Sequence, residues 1–310
     1  MTRSTPRQIR LAWVAWIAIC VVWGTTFLGI RTALQTIPPF LVGGLRFLCG
    51  GLILGSAIRI RGGRLPPPSS WGPLAITGTC LFVVGNGGVI WGLRSVPTGL
   101  TAVLIGTSPF WMAGIEAALR DDTALRARQW LGLAVGFMGI LFLVWPSIAI
   151  GGAGGTRFAF GVLATQIGCA GWCAGTAYTR RHVVPGDVLS AAAMQMILGG
   201  GLMCLVGGVF GEWTAVHLTW ATTWAMVYLT VVGSVVGFVS FSYAVQHLDV
   251  RVVSLYTYVN PVIALALGTF ILAEPFTMRI LVAAAVIVLG ILLVGRVSRS
   301  ETPADEPLPE

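Results

Sequence analysis

Ten apolar runs fill almost the whole chain: 11–30, 38–58, 71–92, 98–118, 128–146, 157–179, 187–210, 219–243, 250–272 and 278–297. Each is close to the ~20 residues that an α-helix needs to cross ~30 Å of hydrocarbon. The joins are short, so no soluble domain is inserted between runs. Lipid offers backbone N–H and C=O groups no partner, which leaves only helices and closed barrels as spanning structures. Runs this long are about twice the length of a barrel strand and therefore specify helices. Charged residues are 10% of the chain and apolar residues 56%, against about 25% charged in a soluble domain. The first run is too long for a signal peptide, lacks a small-x-small cleavage site and precedes nine others, so it reads as a span.

Arginine placement orients the spans. With the N-terminus in the cytoplasm, the inner segments hold Arg3, Arg7, Arg10, Arg59, Arg61, Arg64, Arg120, Arg126, Arg128, Arg180, Arg181, Arg251, Arg296 and Arg299. The outer segments hold Arg31, Arg94, Arg157 and Arg279. This asymmetry is the positive-inside bias, with both termini cytoplasmic. Pro109 and Pro261, each inside a long apolar run, lie 152 residues apart, and the same offset joins Asp122 to Glu274. Five spans per half place those two acids on opposite sides of the membrane, as an inverted repeat requires. The expected fold is therefore an all-α polytopic membrane protein, ten transmembrane helices arranged as two inverted five-helix repeats. Residues 1–150 form the first repeat, 151–298 the second, and 299–310 a disordered cytoplasmic tail rich in proline and acid. The glycines from Gly151 to Gly155 read as the linker between halves.

Several chemistries are excluded by the residues present. The net charge of +8 comes from arginines at span ends, so it speaks of topology and not of nucleic acid. Cys20, Cys49, Cys80, Cys169, Cys173 and Cys204 all fall inside apolar runs, unlike a disulfide framework. Cys169 and Cys173 share a helix face with no histidine or carboxylate beside them to complete a metal site. No cofactor or metal is expected. His182, His217 and His247 lie at span ends, and no facing acids sit at membrane depth, so the constellations of an intramembrane enzyme are missing. Phosphate-cradling motifs are absent as well, which removes direct drive by ATP. Glu116 is the one acid within a span, and Arg120 lies one turn on, within pairing distance.

Residues that remain polar or aromatic inside lipid mark the candidate site. Interrupted helices at matching places in two halves point to a transporter whose site lies between them near the midplane. Pro109 and Pro261 each remove a donor and free a carbonyl one turn earlier; Ser108 and Asn260 precede them and can satisfy such a group or offer it to a solute. Tyr256 and Asn260 form an i,i+4 pair, whereas Tyr258 points elsewhere. Trp16, Trp23 and Phe27 form a stripe, and Trp172 occupies the position in span six that matches Trp23. Two such rings would stack on an apolar solute or present a π-face to a cation. Trp13, Trp71 and Trp220 suit an interfacial belt. Arg46, about eight residues into span two, is costly there and reads as structural or gating, though it could hold an anion or snorkel outward. Thr25, Asn86 and Gln166 complete the expected pocket, which lies among spans one, three, four, six, eight and nine.

Taken together, Trp23-Gly24-Thr25-Thr26-Phe27, Pro38-Pro39, Gly44-Leu45-Arg46-Phe47, Val84-Gly85-Asn86-Gly87, Val96-Pro97-Thr98-Gly99, Tyr256 to Pro261 and Glu274-Pro275 resemble the EamA-type transporters of the drug/metabolite transporter superfamily. The resemblance is strongest to the YedA subgroup and spans roughly residues 11–297. It implies two repeats of five helices and an exporter of small metabolites or drugs in the bacterial inner membrane. It also places an arginine at the Arg46 position generally, which implies structure or gating. The expected function is a non-enzymatic secondary transporter that exports a small organic solute, amino acid-like or aromatic and cationic, by alternating access. The alternatives are an importer or passive facilitator of the same solutes and, behind these, an intramembrane enzyme. The expected partners are that solute and the lipid bilayer, and the architecture is compatible with a monomer.

Overall fold

The computed structural model describes residues 5–119, 127–149, 152–182, 184, 187–248, 250–253, 255–274 and 276–295. Ten helical spans follow one another: α1 (Pro6–Ala33), α2 (Pro39–Ile60), α3 (Pro68–Gly92), α4 (Thr98–Leu119), α5 (Ala127–Ala149), α6 (Gly152–Arg181), α7 (Val188–Val209), α8 (Trp220–His247), α9 (Tyr256–Leu272) and α10 (Met278–Gly295). Among the described residues there is no strand. A short helix, Val250–Val253, precedes α9. The glycines expected to be a linker start α6 at Gly152 instead. Asp122 and the tail 299–310 lie outside the described residues, as does Arg120.

Local chemistry sets where the helices begin. Thr5 and Gln8 form a capping box on α1, and Pro39 occupies the first turn of α2, where a missing N–H costs nothing. Two acids cap from a distance. Glu212 Oε2 accepts from Leu41 N at 3.0 Å at the start of α2. Glu274 accepts from Thr98 N at 2.8 Å and Thr98 Oγ1 at 2.6 Å at the start of α4. Each carboxylate satisfies donors that the first turn of a helix leaves open, and the helix dipole favours its charge.

Contacts between helices expose the repeat. Helices five apart pack together as α2 with α7, α4 with α9, and α5 with α10. They run antiparallel: Gly51 abuts Ala193 and Ile197 while Gly44 abuts Cys204, and Glu274 at the end of α9 meets Thr98 at the start of α4. Packing of α3 on α6 is matched by α8 on α1, and packing of α4 on α6 by α9 on α1. Each of these contacts thus has its mate in the other half. Antiparallel pairing of equivalent helices is what an inverted repeat produces, and the fold is two inverted repeats of five helices.

Small residues allow this packing, because lipid supplies no hydrophobic drive between helices and van der Waals contact must do so. A Cβ on Gly88 of α3 would lie 2.4 Å from Ala164 O and 2.8 Å from Gly168 Cα of α6. Large apolar residues divide between interior and exterior. Phe47, Phe82, Leu41, Met196, Met203 and Leu229 are buried, whereas Val14, Ile17, Leu205 and Phe270 face outward, the last 87% exposed. Outward apolar side chains over the whole girth suit lipid. Trp13, Trp71 and Trp220 are also exposed, in keeping with a belt.

Two equivalent irregularities interrupt the long helices. Residues Thr79–Asn86 of α3 and Leu229–Val236 of α8 are π-helical, 150 positions apart. In each a polar side chain reaches the carbonyl five residues back. Asn86 Nδ2 donates to Leu81 O at 3.1 Å, and Ser234 Oγ donates to Leu229 O at 3.1 Å. Widened turns of this kind are rare and concentrate at functional sites.

Candidate functional site

The interruption in α4 lies at Gly106 and Thr107, just before Ser108. Pro109 cannot donate to Ile105 O, and Ser108 Oγ supplies the missing bond at 2.7 Å. Gln166 of α6 holds the same break from the other side. Its Oε1 accepts from Thr107 Oγ1 at 3.0 Å and Trp111 Nε1 at 2.9 Å, while Nε2 donates to Leu104 O at 3.3 Å. The second half differs. Helix α9 runs through Pro261 unbroken, and the interruption lies at Leu255, one turn earlier than the proline predicts. Asn260, with its amide nitrogen toward the carbonyls, donates to Tyr256 O and to Cys20 O, both at 3.1 Å. It therefore ties α9 to α1 as well as to its own preceding turn.

Between the halves is a cavity of about 170 Å³. An engineered cavity of about 150 Å³ takes a benzene-sized guest, so a compact solute with a single ring is the right scale. Helix α1 contributes Trp23, Thr26, Phe27 and Ile30, and α2 contributes Arg46 and Phe47. Further walls are Gly85, Asn86 and Val89 of α3, Ala102, Ile105 and Ser108 of α4, and Gly168, Cys169 and Trp172 of α6. Phe238 of α8 and Tyr256, Thr257, Asn260 and Pro261 of α9 close it. The sequence-derived candidates Trp23, Asn86, Ser108, Trp172, Tyr256, Asn260, Arg46 and Pro261 thus share one wall. Thr25, Gln166 and Pro109 do not belong to it. The Thr25 hydroxyl bonds Val22 O at 2.8 Å and the Tyr228 hydroxyl, so it ties α1 to α8. Gln166 braces α4 as described.

Aromatic rings dominate one end. Trp23 packs against Tyr256 at 5.0 Å, Phe241 at 5.5 Å and Phe238 at 5.6 Å between ring centroids. Trp16 lies beyond this end, with Nε1 donating to Val253 O at 3.2 Å. The π-helical turn of α8 positions two wall residues together. Trp23 Nε1 donates to Gly233 O at 3.1 Å, and Arg46 Nε donates to Ser234 Oγ at 2.9 Å. Arg46 is 4% exposed, so it does not snorkel. Helix α2 is an addition to the expected set of lining helices, brought in by Arg46 and Phe47.

Sequence reasoning missed Phe47, Phe238 and Thr26 as wall residues, and a lone phenylalanine in an apolar run carries no signal that separates wall from lipid face. Arg120, the partner expected for Glu116, lies outside the described residues. Glu116 pairs with Arg181 at 3.1 Å and more distantly with Arg180 at 3.9 Å, both at the end of α6. Among the described residues no cluster of histidine, cysteine or acid could hold a metal ion.

Comparison with known proteins agrees with this architecture. The model of the EamA-like transporter family matches twice, at residues 11–145 and 159–296, one match per half. The chain is 29% identical over 291 residues to the Escherichia coli (strain K12) protein called uncharacterized inner membrane transporter YedA, covering 93% of this chain and 92% of that one. It is 26% identical over 292 residues to the uncharacterized transporter YvbV of Bacillus subtilis, covering 92% of both. A solved crystal structure, 21% identical, superposes with a TM-score of 0.60 over 93% of this chain and 97% of the other, which speaks for the fold. With a match in each half and relatives aligned end to end, the chain belongs to the EamA-like transporter family.

Proposed function

We propose that this membrane transporter is a secondary carrier which moves a small organic solute by alternating access through the cavity between its halves, outward from the cytoplasm. The observation that carries the reading is the cavity itself. It is small and central, and both repeats wall it, with matched tryptophans Trp23 and Trp172 contributed by equivalent helices. Equivalent π-helical turns and interrupted helices adjoin it, and such irregular backbone in a transporter accompanies a midplane site. Rocking one half against the other would open that site to each side in turn. The arginine bias supports cytoplasmic termini, and the name of the Escherichia coli relative supports an inner-membrane location.

In this reading Trp23, Trp172 and Tyr256 hold the solute's apolar body. Asn86, Ser108 and Asn260 orient its polar groups, and Arg46 bears on its charge. Replacing Trp23 or Tyr256 by Ala is expected to lower solute uptake into proteoliposomes at least tenfold with membrane insertion unchanged. A tenfold loss corresponds to ~1.4 kcal/mol, within the worth of one stacked ring. Wild-type uptake in both variants would refute the assignment of this cavity.

A further inference from the structure

We propose that the solute is a monoanion, a compact aromatic or apolar carboxylate, held by Arg46; this rests on the carrier reading above. Arg46 is 4% exposed, and among the described residues it is the one ionised side chain in the cavity wall. A guanidinium has five N–H donors. Nε is used on Ser234 Oγ, and the Nη groups have no hydrogen-bond partner among the described residues. A buried charge without a counter-charge is costly, and the Phe47 ring 4.8 Å from Arg46 Cζ offsets that cost only in part. The described acids are engaged elsewhere: Glu116 with Arg181, Glu212 at Leu41, and Glu274 at Thr98, while Asp187 is exposed at the start of α7.

The rest of the wall points the same way. Trp172 and Tyr256 also line the cavity, and neither Trp172 Nε1 nor the Tyr256 hydroxyl makes a hydrogen bond among the described residues, so the wall holds further spare donors. Among the described residues no carboxylate lines the cavity to receive an ammonium. A planar carboxylate matches the guanidinium fork with two parallel bonds, and the adjacent rings take its apolar body. An organic cation would instead meet a like charge in a site of low dielectric. The residue matching Arg46 in the second half is Gln195, also buried but neutral, so the two halves contribute one positive charge and not two.

Charge selection also supplies a driving force without a titratable residue. Export of a monoanion carries one negative charge outward, downhill in a potential negative inside. At equilibrium this sustains a gradient of about 50-fold per 100 mV.

The test compares phenylacetate, 2-phenylethylamine and phenylalanine, which share a ring and differ in charge, on the purified full-length protein. Phenylacetate is expected to raise the melting temperature and the other two to have at least tenfold weaker effect. In proteoliposomes, imposing an interior-positive potential is expected to accelerate phenylacetate uptake over protein-free liposomes. Arg46→Gln should abolish the phenylacetate shift, and Arg46→Lys should retain part of it, which separates charge from folding. Stronger stabilisation by the amine or the amino acid, or uptake indifferent to potential, would overturn the proposal while leaving a carrier. Absence of saturable uptake for any of the three would instead remove the carrier reading on which it rests.

Discussion

Ser234 illustrates how one small side chain sets a site from two helices away. Its hydroxyl accepts from Arg46 Nε and donates to Leu229 O, five residues back in the widened turn of α8. Ser234→Ala leaves both groups without that partner inside a buried environment, where such a loss costs about 1–3 kcal/mol. We expect a lower melting temperature together with weaker binding of phenylacetate, both measured by thermal denaturation with and without the solute. A normal melting curve with full stabilisation by phenylacetate would contradict this role. Tyr256 and Asn260 were legible in the sequence because polar groups are sparse within apolar runs and costly there, and Trp23 because Trp172 matches it in the other half. Phe238 and Phe47 were not, because a phenylalanine is equally at ease against lipid or within a wall. Arg46 was legible as an oddity, but whether it snorkels depends on Ser234, 188 positions away in the chain. Thr25 and Gln166 show the converse: they look like pocket residues by composition, yet their bonds join helices.

At the level of the helix, the two prolines act differently. Pro109 follows a real interruption and frees Ile105 O, which Ser108 captures, whereas α9 passes through Pro261 without a break. Pro109→Ala restores a donor that competes with Ser108 for Ile105 O and tends to straighten α4. It is expected to slow solute uptake several-fold more than Pro261→Ala, as measured by initial rates in proteoliposomes; the opposite order would refute the distinction. The sequence pairs the prolines but cannot show this, since the groups that brace each segment, Gln166 in one half and Cys20 in the other, come from distant helices. The π-helical segments escaped sequence reasoning altogether, because an extra residue in a turn leaves hydropathy unchanged. Glycines in both segments hint at close packing but not at a widened turn. Removing the space between helices is more severe. Gly88→Val would drive a side chain into Ala164 O and Gly168, and we expect no correctly inserted protein on detergent extraction, whereas Gly114→Ala, with nothing within 4 Å of its Cβ, should extract normally.

Across the whole molecule, the ten spans were legible because lipid admits so few solutions for the backbone, and their alternation follows from the loops. The inversion of the halves was legible through arginine counts and the proline offset, and the antiparallel packing of α2 on α7 and α4 on α9 gives it physical form. What hydropathy could not reach is the closure of the cavity, since seven helices contribute to it and only their packing decides which faces meet. If the arginine bias sets orientation as we propose, a cysteine at Thr277, next to the start of α10, is labelled by an impermeant thiol reagent from outside intact cells. One at Gly63, after α2, is labelled only once the membrane is opened. The central claim, that a single cavity between inverted halves is exposed to one side at a time, is tested most directly by counterflow. Proteoliposomes preloaded with unlabelled phenylacetate are expected to take up the labelled solute with saturation and several-fold faster than unloaded ones, and Trp23→Ala should remove that acceleration. Uptake that rises linearly with concentration and ignores the preloaded solute would contradict the account.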